Sequence, residues 1–168
     1  MIIEGKILGY PRDNINTDEI IPARYLNTSD PDQLAAHCLE DLDHDFFKKK
    51  SDLDASILVV GSNMGCGSSR EHAPIAIKNA RIQAVIAKSF ARIFFRNSIN
   101  IGLPIFECHD DGFSQIIADG DKIRIDVDAG FIEHISSGKK YQIQKMPVFL
   151  QEIINAGGLI EYAKKLVG

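Results

Sequence analysis

A chain of 168 residues with a formal net charge of −4 and a pI near 5.7 is long enough to enclose one substantial core. That charge balance argues against a nucleic-acid surface, which needs a basic face, and no apolar run approaches the ~20 residues that span a bilayer. The opening Met1-Ile-Ile-Glu-Gly-Lys6 lacks the basic start and long apolar stretch of a secretory signal, so a soluble, cytoplasmic protein with one domain over residues 1–168 is expected.

Residues 2–8 are apolar with Glu4 and Lys6 interspersed, which predicts a first strand. Residues 10–18 read as a polar turn region, and residues 20–26 as extended chain around Pro22. Residues 27–30 should be a loop, with Asp30 and Pro31 as N-cap and first position of a helix. Leu34, Cys38, Leu39 and Leu42 form that helix's apolar face. The acidic run Asp41-Leu-Asp-His-Asp45 fits a solvated helix end better than a metal site. Phe46-Phe-Lys-Lys-Lys50 then leads into a charged connection, and Ile57-Leu-Val-Val60 is a buried strand. Beyond a glycine-rich loop, residues 83–87 read as a second buried strand. A helix follows over residues 89–100, stopped by Gly102. Residues 103–106 suggest another strand, and residues 113–118 a short helix. Residues 122–128 alternate apolar and polar, as a strand with one wet face should; with residues 131–135 and 141–144 they make a β-meander. Pro147 opens a closing helical region broken at Gly157-Gly158.

The most informative stretch is Gly61-Ser-Asn-Met-Gly-Cys-Gly-Ser-Ser-Arg-Glu-His72, between the strand ending at Val60 and an apolar helical pattern. Its glycines permit tight turns and positive φ, and the loop gathers N–H groups at a helix N-terminus, where an anion is favoured. Arg70 strengthens this, because a guanidinium meets a carboxylate or phosphate with two parallel hydrogen bonds. Ser68 and Ser69 have two readings. Ser68-Ser-Arg-Glu71 fits a capping box, with Ser68 closing the helix end. Alternatively the helix begins properly near Pro74, because a proline deeper inside would lose a hydrogen bond and clash with the previous turn. Both serines then face a pocket. Residues alone stop at an anion site: the loop lacks the lysine of a P-loop and the G-x-S-x-G of a hydrolase elbow. Nothing in the sequence orients His72 against Cys66 for acyl transfer.

The literal run Gly65-Cys-Gly-Ser-Ser-Arg-Glu-His-Ala-Pro74, followed by Ala87-Lys-Ser-Phe-Ala-Arg-Ile-Phe94 and Asn97-Ser-Ile-Asn-Ile-Gly-Leu-Pro104, resembles the small subunits of 3-isopropylmalate dehydratases, counterparts of the swivelling C-terminal domain of aconitase. The resemblance runs from about Gly5 to the end of the chain. It implies an aconitase-type swivelling α/β fold, with a largely parallel central sheet packed on the β-meander and covered by helices. It implies that Ser68 is the catalytic base, that Arg70 binds a substrate carboxylate, and that Gly67 and Ser69 add substrate contacts.

Dehydratase chemistry of this type removes a proton beside a carboxylate and a hydroxyl from the next carbon, then returns water in the other sense. A Lewis acid activates the hydroxyl and a held base takes the proton. The family's iron–sulfur cluster needs thiolates, some closely spaced. Cys38, Cys66 and Cys108 are widely separated and contain no C-x-x-C. No metal site is therefore expected in this chain, and the resemblance places a [4Fe-4S] cluster on a partner large subunit. The chain then supplies half an active site for a small 2-hydroxy acid. Within the family the loop after Ile-Ile-Pro-Ala-Arg24 reaches the variable group of the substrate, which assigns Tyr25, Leu26, Asn27 and Thr28 to substrate binding. Homoaconitase-like members carry arginine where Asn27 stands. An uncharged asparagine favours isopropylmalate over homoaconitate or citrate, with dimethylmalate a further alternative because a pocket discriminates one methylene by only ~1–3 kcal/mol. A non-catalytic phosphate- or nucleotide-binding module is the competing reading from a different class.

Overall fold

The computed structural model describes the backbone of residues 1–168 and all side chains but that of Ile116. The first strand, β1 (Ile2–Tyr10), is the longest, and it divides its partners between its two halves. Residues 2–6 pair antiparallel with β5 (Lys122–Asp126), while residues 6–10 pair parallel with β2 (Ala55–Val60), with a register irregularity between Lys6 and Ile7. From β2 the sheet continues in parallel through β3 (Ala84–Ala87) to β4 (Ile105–Glu107). From β5 it continues antiparallel through β6 (Phe131–His134) to β7 (Lys140–Gln142).

The result is one seven-stranded sheet in the order β4-β3-β2-β1-β5-β6-β7. The expected α/β class and meander are present, but the meander does not pack on the parallel strands as a separate layer. It extends the same sheet, because the first half of β1 leaves an open edge that β5 fills. The sheet curls until its ends meet: the N–H of Gln144, just past β7, donates to the carbonyl of Glu107 in β4 at 2.8 Å. Every residue of β3, and all of β2 but Ser56, is buried, as in parallel strands covered on both faces. β5 instead alternates exposed and buried positions. Burying each Ile or Leu of this core contributes roughly 1.5–3 kcal/mol.

The crossover helices are α4 (His72–Asn79), between β2 and β3, and α5 (Arg92–Ile101), between β3 and β4. Long connections between parallel strands are the geometric requirement that makes these helices. α2 (Pro31–Ala36) packs on α4, and the terminal pair α7 (Val148–Ala156) and α8 (Leu159–Val167) packs on α5. α3 (Phe46–Leu53) lies against β1 and β2, and α6 (Asp111–Ile116) follows β4.

Four local expectations change. Residues 10–18 are not all turn: Asn16 caps a short helix, α1 (Thr17–Ile20), in a full capping box with Glu19, both hydrogen bonds being 3.0 Å. Residues 20–26 are not extended throughout, since Ala23–Tyr25 form a 3-10 turn. The helix capped by Asp30 ends at Ala36 instead of running to Leu42. Leu39 takes φ +58° and gives its N–H to the carbonyl of Ile20 at 2.8 Å, a tertiary bond that replaces the helical one. Leu34, Cys38 and Leu39 are nonetheless buried. Residues 46–50 open α3, which runs on to Leu53 through the stretch expected as a charged connection, with Phe46 buried and the lysines outward.

Gly102 joins the helical layer. It caps α5 with φ +79°, and a Cβ there would lie 2.6 Å from the carbonyl carbon of Gly157, in the turn between α7 and α8. Gly130 has a similar φ of +82° but open space around it. Gly130→Ala should therefore cost about 1–2 kcal/mol from the left-handed backbone alone. Gly102→Ala should cost clearly more, because backbone cannot move aside. Urea unfolding of both variants compares them, and equal losses would contradict the close packing of these two turns.

Candidate active site

The glycine loop leaves the end of β2 and runs on as a strip between its two neighbours. On one side the N–H groups of Gly61, Gly65 and Thr17 bond to Arg12, Ile15 and Cys66 carbonyls at 3.2, 2.7 and 2.9 Å. On the other, Met64 donates to Ser89 at 3.1 Å and Ala91 to Met64 at 2.9 Å. Isolated parallel bridges, Asn16 with Cys66 and Met64 with Phe90, mark the same continuation of the sheet order. This is also why α5 begins at Arg92 and not at Ser89: residues 89–91 are held as an edge for the loop. Gly65 has φ +83° and lies so close to the Phe94 ring that any Cβ would overlap it.

Past Cys66 the pairing stops. Gly67 takes φ +97°. Among the described residues, the N–H groups of Gly67, Ser68, Ser69 and Arg70 find no protein acceptor, and the hydroxyls of Ser68 and Ser69 make no hydrogen bond. Both serines are exposed. The capping reading of Ser68 does not hold: α4 starts at His72, its N-cap is Glu71, and no side chain caps it. Pro74 is then the third helical residue, where an N–H has no intrahelical acceptor, so the ring sits there without loss.

Thr17, Gly65 and residues 67–70 wall a cleft of about 250 Å³, closed on the other side by Ala91, the first turn of α5 and Asn97. Thr17 is buried and donates its hydroxyl to the Ser68 carbonyl at 3.0 Å, tying α1 to the loop. Arg70 is 18% exposed and forms an ion pair with Asp18, which is 61% exposed. The pair runs through its Nη1, and among the described residues its other guanidinium N–H groups make no hydrogen bond. So exposed a partner contributes little stability. α5, like α4, has no side-chain cap and no acidic residue in its first turn. Two helix starts, four free N–H groups and two arginines, Arg70 and Arg92, give this cleft a chemistry suited to an anion, with two unengaged hydroxyls beside it.

Gly67, Ser68, Ser69 and Arg70 thus share one cleft. Tyr25, Leu26, Asn27 and Thr28 do not line it. They lie on the 3-10 turn after α1 and the segment beyond. Tyr25 stacks on His37 with ring centroids 3.6 Å apart, and Arg24 is held by Asp41 and Glu40 at 2.8 and 3.1 Å. That base is braced, while Asn27 is exposed. The sequence reading missed Thr17, Asp18, Arg92 and Asn97. Asn16-Thr-Asp-Glu19 carries the capping pattern that would have found the first two.

The three thiols are apart. Cys38 and Cys108 are buried, which raises both thiol pKa values, and Cys66 is half-buried in the loop. Among the described residues no group of three or more His, Cys, Asp or Glu is placed to hold a metal ion, and no hydrogen bond joins Cys66 to His72. The residues present do not fit an iron–sulfur cluster. Among the described residues no helix is long and apolar enough to cross a membrane.

A family model described as the aconitase C-terminal domain matches residues 2–109. The chain is similar to the 3-isopropylmalate dehydratase small subunit of Caldicellulosiruptor bescii, with 57% identity over 98% of this chain and 96% of that one. It is also similar to the small subunit of the same name from Ruminiclostridium cellulolyticum, with 54% identity over 98% of both. The crystal structure of a 3-isopropylmalate dehydratase from Methanocaldococcus jannaschii superposes with a TM-score of 0.87 and 45% identity, covering 98% of this chain and 95% of that one.

Thr17→Val keeps the shape of the side chain and removes its bond to Ser68. We expect a loss of about 0.5–1.5 kcal/mol and faster hydrogen exchange at the Thr17 and Gly65 amides, with amides of β3 unchanged. Unchanged exchange at Thr17 and Gly65 would show that the hydroxyl does not hold the loop.

Proposed function

The chain belongs to the aconitase C-terminal domain family, and from that premise we infer that it is the small subunit of a hydro-lyase. The enzyme interconverts 2-isopropylmalate and 3-isopropylmalate by dehydration and rehydration, a step of leucine biosynthesis. The observation that carries the site assignment is the cleft after β2, where free N–H groups, the Arg70 guanidinium and two unengaged serine hydroxyls converge. A nucleotide- or phosphate-binding module is not favoured, because the relatives matching nearly the whole chain are dehydratase subunits.

In this reading Ser68 is the base. A serine hydroxyl is a feeble base in water and becomes usable only where its alkoxide is stabilised. The undonated N–H groups of residues 67–70, the start of α4 and the Arg70 guanidinium supply that stabilisation. The alkoxide of Ser68 takes the proton from the carbon beside a substrate carboxylate and becomes a hydroxyl, and the reverse step returns it. Arg70 grips that carboxylate in a two-bond fork, a state in which the exposed Asp18 gives way. Ser69 and Gly67 contribute hydrogen bonds to the same group. This chain's thiols do not form a cluster site; a [4Fe-4S] cluster on a large subunit would supply the Lewis acid for the departing hydroxyl. The enzyme is cytoplasmic and heteromeric, and active only when both subunits are present.

With a large subunit reconstituted, Ser68→Ala should reduce turnover about 10²–10⁴-fold with little change in substrate affinity, the range of a general base. Arg70→Lys should weaken binding and turnover together, since a point charge does not replace the fork. Near-normal turnover by Ser68→Ala would overturn the base assignment.

Substrate choice rests on Tyr25 to Thr28. Asn27 offers hydrogen bonds without charge, so it does not offset the desolvation of a third carboxylate as arginine would. Tyr25 and Leu26 contribute apolar surface for an isopropyl group. The wild type should prefer isopropylmalate over homoaconitate in kcat/KM, and Asn27→Arg should shift the ratio toward homoaconitate. No shift would remove this loop as the selector.

A further inference from the structure

In the dehydratase reading the large subunit reaches the cleft after β2, because among the described residues none are grouped to hold a Lewis acid. Its surface therefore lies over the mouth of that cleft. A specific interface buries about 800 Å² on each partner, far more than the mouth of a 250 Å³ cleft offers. The contact must continue past the cleft onto whatever borders it. A second hollow, of about 280 Å³, borders it across the first turn of α5, with Arg92 lining both. We propose that this second hollow anchors the large subunit, taking an apolar side chain of that partner with a carboxylate beside it; the inference rests on the dehydratase reading above.

The hollow lies at the end of β4, between the starts of α5 and α7. β2, β3 and β4 run parallel, so the cleft after β2 and the hollow after β4 share the carboxyl edge of these strands. Phe90, Phe95, Met146 and Leu150 wall it, and all but Met146 are only partly buried although they pack on the core. Half-covered aromatic and methionine side chains around a hollow match the composition of interface cores. Val148, 68% exposed, continues the apolar surface at the start of α7. The rim is basic. Arg92 and Lys145 are exposed and, among the described residues, make no ion pair, whereas Glu107 is engaged by His109 at 3.2 Å. A partner carboxylate beside these cations would gain a charge-assisted contact while its apolar neighbour fills the hollow. Another exposed apolar surface, formed by Ile160, Leu166 and Val167 on α8, lines neither the hollow nor the cleft. It lacks the continuity that places the hollow inside the footprint of the large subunit.

The test measures association of the two full chains, by sedimentation and by titrating activity with large subunit. Gln144 is an exposed residue lining the hollow, and its backbone N–H is the group that bonds to Glu107. Gln144→Trp therefore fills the hollow without removing a core contact. It should raise the Kd for the large subunit about 10–100-fold, the range for losing a central anchor. Lys145→Glu should raise the Kd about tenfold, and more at low salt. At saturating large subunit both variants should reach the wild-type kcat within about threefold, which separates lost docking from a damaged fold. Ile160→Asp, on the outer face of α8, should leave the Kd in place. An unchanged Kd in Gln144→Trp would overturn the anchor, and in Lys145→Glu the carboxylate beside it. A Kd raised by Ile160→Asp alone would move the anchor to α8. Variants that lose only self-association of this chain would make a second copy the occupant and overturn the proposal equally. Wild-type chains that neither associate nor turn over isopropylmalate would overturn the dehydratase reading itself.

Discussion

Everything at the site depends on how the strip after β2 is held by its neighbours. Up to Cys66 its backbone groups are bonded on both sides, to residues 12–17 and to residues 88–91. Beyond Cys66 neither neighbour continues: residues 17–20 have turned into α1, and residues 92–101 into α5. The strip therefore runs out of acceptors at the point where the two serines stand. Four undonated N–H groups would be a liability in a closed interior, since buried polar groups need partners. At an open cleft they become binding capacity.

The same geometry explains the charge arrangement. Arg70 is largely buried by the loop but ends beside an exposed carboxylate, a pairing too solvated to hold it firmly. Neither α4 nor α5 carries a capping side chain, which leaves both helix starts with unmet donors. Each feature is mildly unfavourable to the free subunit. Active sites commonly trade stability for preorganisation in this way. Side-chain caps do occur away from the cleft, as α1 has a full capping box, α2 has Asp30 and Pro31, and α6 has Asp110, while α3, α7 and α8 start without one.

The curl of the sheet sets the stage for this. β1 changes partners halfway along its length, so the parallel and antiparallel halves are staggered, and β4 and the chain after β7 come together. α7 and α8 then close over α5 through the Gly102 and Gly157 turns, and Lys78 donates to the Ile101 carbonyl at 2.6 Å. α5 is thereby anchored at its C-terminal end, which leaves its first turn to face the loop.

Local signals were enough for the strands of the sheet, for the Asp30–Pro31 helix start, for the Gly102 stop and for the anion-seeking character of the glycine loop, because each is written in residues adjacent in sequence. Apolar runs, capping pairs and turn glycines act over a few residues and are legible there. Three things needed the tertiary structure. Where the meander lies depended on which edge of β1 was open. Whether Ser68 caps a helix or faces a cleft depended on hydrogen bonds to residues 15–17, about fifty positions away. That Arg92 lines the same cleft as Arg70 depended on two crossover helices starting side by side. In each case the deciding contact joins segments distant in the chain, and no periodicity or local propensity encodes such a contact.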